Sequence, residues 1–367
     1  MLVLIKIAIG SKSWAIRLLE VYKVKIIHLA DLHIGSKFER MPDNIKTELN
    51  TKLRNAFAKI IDYAKVNNIT TILMAGDIFD KNSVLMKDKK FFYDLIKVNS
   101  EIDFYYIKGN HDSSSKYNDE IDNLHTFDGI KSYIKGNVRI IGYELADNNS
   151  SLYNVSPFTT DKFNIMMLHG DIKNQKDNNY IDLKKLQNKN VNYFALGHIH
   201  KREDGKIGNS KYAYPGCVLG RGFDEVGEKG FLVLDTETNT TTFFEFSDIL
   251  FEHIDMQVNG LNEAELKKAI STQLGSTKHS YITEIRLTGK SDIEIDIDDL
   301  EMSFKDKRYY LTIKNASKQA LRFNPNENEN SLRNMFINKV LKDPNLDGDT
   351  KEKVILYGLS KLMKEDE

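Results

Sequence analysis

Thr71-Ile-Leu-Met-Ala-Gly-Asp-Ile-Phe-Asp80 is the stretch whose reading decides the architecture. Its apolar run, residues 72–75, has the pattern of a short buried strand. The run stops at a glycine followed by two carboxylates three residues apart. Gly76 lets the backbone leave the strand in a tight bend without a Cβ penalty. Asp77 is thereby presented at the strand's carboxyl end, where open α/β sheets place their ligands. Four further apolar runs end in the same way. Residues 24–30 run into Asp31-Leu-His33, and residues 104–108 into Gly109-Asn-His-Asp112. Residues 164–168 run into His169-Gly-Asp171, and residues 193–196 into Gly197-His-Ile-His200.

Between these runs, Ile45, Leu49, Leu53, Phe57, Ile60, Ile61 and Ala64 recur at helical spacing, and Phe91, Phe92, Leu95 and Ile96 are expected to face inward from a second helix. A β-like run at 138–143, a surface loop at 148–151 and a polar helical segment before Tyr193 follow. Residues 211–246 are β-rich. Strands alternating with helices first and β-rich segments later predict a four-layer α/β/β/α sandwich over residues 24–247. After Leu250 the pattern becomes a small α+β capping domain, 250–323. Its carboxylate-rich piece, 292–301, lacks the glycine and terminal glutamate of an EF-hand loop and reads as a solvated face or a helix start. Residues 324–330, Asn-Pro-Asn-Glu-Asn-Glu-Asn, form a linker by composition. Residues 331–367 read as an amphipathic helix-loop-helix, docking on its own core or, more in keeping with the linker, on a partner.

Composition excludes several classes. A chain of 367 residues with 41% hydrophobic content and net charge −1 is an ordinary globular protein without a global basic field. The single cysteine, Cys217, rules out an intramolecular disulfide, fits a reducing, cytoplasmic setting and removes thiolate-rich metal sites. Its ordinary reading is a small buried residue. No apolar run approaches the roughly 18–20 residues of a membrane-spanning helix, so no membrane association is expected. The first 23 residues mimic a signal peptide, but Lys6 interrupts the apolar core and no charged segment precedes it. Residues 19–21 can be encoded by a ribosome-binding sequence and Val24 by a GTG start, so the expectation is that 1–23 are an over-extended start.

The five strand ends collect Asp31, His33, Asp77, Asn110, His169, His198 and His200. Two carboxylates, one carboxamide and four imidazoles form a nitrogen and oxygen set that suits Mn²⁺, Fe²⁺ or Zn²⁺ better than Ca²⁺ or Mg²⁺. Seven side chains exceed what one open-sited ion needs and serve two if a carboxylate bridges. Paired ions about 3.5–4 Å apart fit in-line displacement at phosphorus. His111 adjoins Asn110 without being needed in either shell, which makes it the candidate proton donor to the leaving oxygen. Asp80 stands ready to fix its tautomer and raise its pKa. Any one of these motifs alone is more simply a loop acid or a cap. Their weight lies in coincidence at five strand ends. His28 reads as a core histidine, and His125, His253 and His279 as structural.

Asp31-Leu-His33, Gly76-Asp-Ile-Phe-Asp80, Gly109-Asn-His-Asp112, His169-Gly-Asp171 and Gly197-His-Ile-His200 resemble the five signatures of calcineurin-like metallophosphoesterases. Residues 27–35, Ile-His-Leu-Ala-Asp-Leu-His-Ile-Gly, and the segment Tyr214 to Gly230 look like the bacterial DNA-repair exonucleases of the SbcD and YhaO type. The resemblance implies one ion on Asp31, His33, Asp77 and His200, and a second on Asp77, Asn110, His169 and His198, with Asp77 bridging. It implies His111 as the catalytic histidine. The position of Asp80 is histidine in some relatives and aspartate in superfamily phosphatases, so an Asp80–His111 dyad is preferred here. Manganese, a DNA substrate, a homodimer and a coiled-coil ATPase of the SbcC type bound by the C-terminal helices are further implications.

The leading expectation is an Mn²⁺-dependent DNA exonuclease with some single-strand endonuclease activity. Arg221 and lysines such as Lys37, Lys116 and Lys173 lie near the motif loops and are either phosphate contacts or ordinary surface charges. The alternative is a metallophosphodiesterase or phosphatase acting on a small molecule or phosphoprotein. Against it, Asp80-Lys-Asn82 stands where phosphatases carry Asp-Arg-Gly. A non-enzymatic DNA-end scaffold would be favoured by a missing ligand, and none is missing.

Overall fold

The computed structural model describes residues 4–6, 16–18, 24–80, 84–112, 120–144, 150–291, 293–319 and 332–362. The chain divides into two compact units, Met1–Phe251 and Glu252–Glu367. In the first, strands β1 (Lys25–Leu29), β2 (Thr71–Ala75), β3 (Asp103–Ile107) and β4 (Leu124–Thr126) run parallel. Helices α1 (Asp43–Val66) and α2 (Met86–Val98) make the crossovers. A second sheet follows from β5 (Ile130–Lys135), β6 (Val138–Tyr143), β7 (Phe163–His169), β8 (Tyr193–Gly197), β9 (Glu203–Ile207) and β10 (Ser210–Tyr214), in the order β9-β10-β8-β7-β6-β5. The chain then returns to the first sheet with β11 (Gly230–Asp235) and β12 (Thr240–Glu245), whose order is β12-β11-β1-β2-β3-β4.

Alternation along the strands builds the layers. On β7, Ile165 and Met167 face the first sheet, in a core with Ile26, Leu73, Tyr105 and Leu232. Met166 and Leu168 face the other way, against Leu152, Ile181 and Leu186. Strands buried on both faces need continuous apolar sequence, which is why the predicted runs were unbroken. On the outer face of the first sheet, Leu29, Ile72 and Phe104 meet Phe57 and Ile60 of α1 and Phe92 of α2. The seven-residue stripe expected on α1 is buried throughout. On α2, Phe92 and Ile96 are buried, whereas Phe91 and Leu95 are half-buried shoulders of the stripe. The result is the expected four-layer sandwich.

Its outermost layer on the second sheet is thin. The polar helix expected before Tyr193 is one 3-10 turn, Leu183–Leu186, capped by Asp182, whose side chain accepts from Lys184 N at 3.1 Å. The asparagine-rich Gln187–Asn190 piece supports turns rather than a helix, and Asn190 has φ 58. Ser150–Tyr153, overlapping the expected surface loop, is a helical turn.

The second unit has a three-stranded sheet, β13 (Leu250–Gln257), β14 (Lys278–Thr288) and β15 (Arg308–Asn315), in that order. Helix α3 (Glu263–Leu274) begins in a capping box between Asn262 and Glu265, and α4 (Ile297–Phe304) is capped by Asp296. Thus the carboxylate-rich piece is a helix start. Helices α5 (Leu332–Leu341) and α6 (Gly348–Leu362) meet through Ile337, Val340 and Ile355. The expected linker at 324–330 and most of the expected over-extended start lie outside the described residues, as do Asn148, Asn149 and Lys116. Within 1–23, Leu4–Lys6 pairs antiparallel with Ile16–Leu18.

Candidate metal centre

The carboxyl end of β2 lies so close to those of β7 and β8 that only glycine fits between them. A Cβ on Gly197 would stand 1.9 Å from Ala75 O, and one on Gly76 would stand 2.3 Å from His169 Nδ1. Gly76 also has φ +89. Four expected ligands share this left-handed geometry: Asp31, His33, Asp77 and His198 have φ of 53, 48, 52 and 100. Each such non-glycine residue costs on the order of 1–3 kcal/mol and persists where its surroundings enforce it, a pattern concentrated at functional sites. Here the enforcement is visible. Asp31 N donates to Gly76 O at 3.0 Å, His33 N to Asp77 O at 3.0 Å, and His198 N to Asp31 Oδ2 at 3.0 Å.

All seven expected ligands come together, in two groups. Asp31, His33 and His200 form one, and Asp77, His169 and His198 the other, with donor atoms inside each group within 4.8 Å of one another. His33 Nε2 lies 3.1 Å from His200 Nε2, and Asp31 Oδ1 lies 3.9 Å from the latter. Asn110 Oδ1 joins the second group, 3.1 Å from His169 Nε2 and 3.2 Å from His198 Nδ1. Asp77 stands between the groups. Its Oδ2 is 3.3 Å from His169 Nε2 and 3.8 Å from His33 Nε2, the place a shared ligand must occupy.

The electrostatics suit cations. Burial, aided by the Arg221 charge, pushes His33 down to about 2, so its ring is neutral and ligand-competent. For Asp77, burial acts to raise the pKa. The hydrogen bond and charge of His169, the charge of His33 and the His111 backbone N–H outweigh it, holding the carboxyl well below the usual range. Burial likewise opposes charge on His169, but Asp77 and Asp31 bring it up to about 9. Burial pushes Asp31 up to about 6 against His169 and His200. His169 Nδ1 donates to Ala75 O at 2.9 Å, which leaves Nε2 for the centre. Two imidazole nitrogens facing each other at 3.1 Å beside two buried carboxylates can share a proton or a cation, and the donors match divalent ions that take nitrogen and oxygen ligands.

His111 sits at the rim, 43% exposed, with its ring centroid 5.0 Å from that of His33. Its backbone N donates to Asp77 Oδ1 at 2.7 Å, so one carboxylate anchors both the centre and the histidine loop. Asp80 Oδ1 is 3.6 Å from His111 Nδ1, a charge contact too long for a hydrogen bond. The expected tautomer-fixing bond is not formed, because Asp80 is drawn toward the first loop: its Oδ2 accepts from Ser36 Oγ at 3.3 Å and its N donates to Ile34 O.

Three acids with no role in the sequence reading support this arrangement. Buried Asp112 accepts from Phe79 N and Gly109 N, both at 2.8 Å, and staples two motif loops together. Asp177 Oδ2 lies 3.3 Å from His198 Nε2, and Glu225 Oε1 accepts from His200 Nδ1 at 2.7 Å. Asp112 ends the Gly109-Asn-His-Asp112 motif and Glu225 lies within the Tyr214 to Gly230 segment, whereas Asp177 belongs to neither. His28 is a core residue, as read, and His125 pairs with Asp103 at 3.0 Å. His253 pairs with Asp255 and Glu284 in the second unit, and His279 is exposed. Among the described residues no helix is long and apolar enough to cross a membrane.

Residues 24–239 match the calcineurin-like phosphoesterase superfamily domain. The chain is 30% identical over 261 residues to the uncharacterized metallophosphoesterase YhaO of Bacillus subtilis, covering 63% of this chain and 62% of that one. It is 26% identical over 208 residues to the DNA double-strand break repair protein Mre11 of Saccharolobus solfataricus, covering 50% and 52%. The chain thus spans between half and two thirds of the length of these relatives. A dimetal phosphatase from Danio rerio superposes with a TM-score of 0.41 at 11% identity, covering 58% of this chain and 92% of that one.

Proposed function

The chain belongs to the calcineurin-like phosphoesterase superfamily, whose members hydrolyse phosphoester bonds with divalent metals, and from that premise we propose that it is a DNA exonuclease. The observation that carries the reading is Asp77, one carboxylate between two imidazole groups with His111 exposed beside it. Asp31, His33, Asp77 and His200 would hold one ion, and Asp77, Asn110, His169 and His198 the other. Bound divalent ions, by preference manganese, would supply Lewis acidity there toward a water nucleophile and the phosphate oxygens. The chain's residues do the rest. Asp77 fixes the spacing of the two groups and holds the His111 loop. His111 directs Nδ1 toward Asp80 and keeps Nε2 to give a proton to the leaving oxygen.

Similarity to Mre11 repair proteins, together with Asp80-Lys-Asn82 in place of the phosphatase tripeptide, favours DNA over a small substrate. Lys37 and Arg40 line a cleft of about 360 Å³ with Asp80 and Arg221, and are the basic residues there best placed for phosphate contacts, since Arg221 is held by Glu225. Lys173 is committed to Glu203 at 2.5 Å. In this reading Leu332, Met335 and Tyr357, exposed on α5 and α6, face a coiled-coil ATPase of the SbcC type in cytoplasmic DNA repair, and the chain works as a homodimer.

The test is hydrolysis of end-labelled duplex and single-stranded DNA with added Mn²⁺, by wild type and by His111→Asn. Wild type should shorten the strands stepwise. The variant should lose about 10²–10⁴-fold in turnover while still binding two ions. Intact DNA, with His111-dependent hydrolysis of a generic phosphodiester, would move the assignment to a small-molecule phosphodiesterase.

A further inference from the structure

The segment between β10 and β11, residues 215–229, supplies no ligand and no proton donor, yet it closes around His200. The carbonyl of His200 accepts from Cys217 N at 3.3 Å and from Lys229 Nζ at 3.4 Å. Gly216, with φ +77, permits this approach, since a Cβ there would stand 2.8 Å from the same carbonyl oxygen. The ring is gripped as well. Its Nδ1 lies 2.7 Å from Glu225 Oε1 and 3.1 Å from Arg221 Nη2, and since the closer carboxylate can only accept, it takes the Nδ1–H. That carboxylate is 11% exposed and is itself locked: Arg221 Nη2 and Nε donate to Oε1 at 3.0 and 3.3 Å, and Arg221 N donates to Oε2 at 3.0 Å. An acceptor on Nδ1–H leaves the lone pair on Nε2, the atom that faces His33 Nε2 and Asp31.

The second group is backed differently. His198 turns Nδ1, not Nε2, toward Asn110, and its Nε2 lies 3.3 Å from Asp177, whose side chain is 25% exposed. Each rim histidine therefore has its own acid, on opposite ring nitrogens and from a different loop.

We propose that Glu225 is the positioning residue of the Asp31–His33–His200 group, setting which nitrogen of His200 faces the centre and holding the ring there. The ion at that group depends on it, and the ion at the Asp77–His169–His198 group depends on Asp177 instead. The inference rests on the metal-centre reading above and not on the identity of the substrate. Arg221 serves it by holding the Glu225 carboxylate in that orientation. Loss of such an outer carboxylate from a ligating histidine typically costs about 10–100-fold in metal affinity.

The experiment is titration of the full-length, metal-stripped protein with Mn²⁺, following free Mn²⁺ by electron paramagnetic resonance, a readout that needs no turnover. Wild type should bind two ions. Glu225→Ala should weaken one of them by about 10–100-fold and leave the other at the wild-type value. Glu225→Gln, whose amide oxygen still accepts from Nδ1–H, should recover most of the loss and keeps the test decisive if the alanine variant folds poorly. Asp177→Ala should weaken the other ion, so that the double variant weakens both. Two ions bound at wild-type affinity by Glu225→Ala would overturn the proposal, as would equal weakening of both ions by Glu225→Gln. A wild-type protein that binds two ions and leaves DNA intact removes the nuclease reading and not this one.

Discussion

Two buried histidines, His28 and His169, show what separates packing from chemistry in this molecule. Their surroundings are alike in burial, 0% and 2% exposed. Each gives one ring nitrogen to a backbone carbonyl, His28 to Leu196 at 3.2 Å and His169 to Ala75 at 2.9 Å. The other nitrogen decides the outcome. His28 Nδ1 accepts from the Tyr193 hydroxyl at 2.9 Å, a neutral partner, and burial pushes its pKa down to about 3. His169 Nε2 faces Asp77 at 3.3 Å with Asp31 nearby, and these charges overcome burial and bring it up to about 9. Equal burial thus yields a permanently neutral core residue in one place and a cation-seeking centre in the other. Company, not depth, makes the site.

The sharpest way to break this contrast is Asp77→Asn. It removes the carboxylate shared by both groups, so both Mn²⁺ ions should weaken by more than the roughly 100-fold that loss of an outer partner costs. In the metal-free variant, burial would act on His169 with its chief opposing charge gone. Its pKa, followed by the imidazole proton resonances, should fall from about 9 toward or below the ordinary 6.5. A value that stayed near 9 would assign the effect to Asp31.

Next in size is the wall behind His169. Gly76→Ala places a Cβ 2.3 Å from its Nδ1 at φ +89, combining overpacking with backbone strain. A loss of about 3 kcal/mol in unfolding free energy is expected by urea denaturation. Gly129→Ala, at φ +63 with open space around the Cβ, should lose only about 1 kcal/mol. Equal losses would mean that the close approach of the two sheets is not tight.

The legible part of this molecule is the part where chain and contact coincide. Each strand of Ile, Leu, Met or Phe ends at once in its own ligands, so Asp31, Asp77 and His169 announced themselves together, and the α1 stripe was complete. The acids behind the ligands were not legible. Asp177 lies 21 residues from His198, and Glu225 lies 25 from His200. Nothing local distinguishes either from a solvated loop carboxylate, since only the fold brings them to a ring nitrogen. The Asp80–His111 pairing was legible in part, for the two stand in charge contact at 3.6 Å without a hydrogen bond. Proximity in the motif was right, but Ser36 competes for the carboxylate.

The smallest and most discriminating test concerns His28, because it titrates away from the centre. Its folded pKa of about 3 lies below the unfolded value of 6.5, so the unfolded chain binds a proton that the native state refuses. The stability this histidine contributes is complete above pH 6.5 and is lost progressively as pH falls from 6.5 toward 3. At pH 5 the loss is about 1.5 pKa units, or roughly 2 kcal/mol. Asp31, raised to about 6, acts in the opposite direction, gaining stability as pH falls from 6 toward 3.8. That contribution is common to wild type and His28→Gln and cancels in their difference. The urea-unfolding free energy of wild type, minus that of His28→Gln, should therefore shrink by about 2 kcal/mol between pH 7 and pH 5. Parallel curves would mean that burial does not hold His28 neutral.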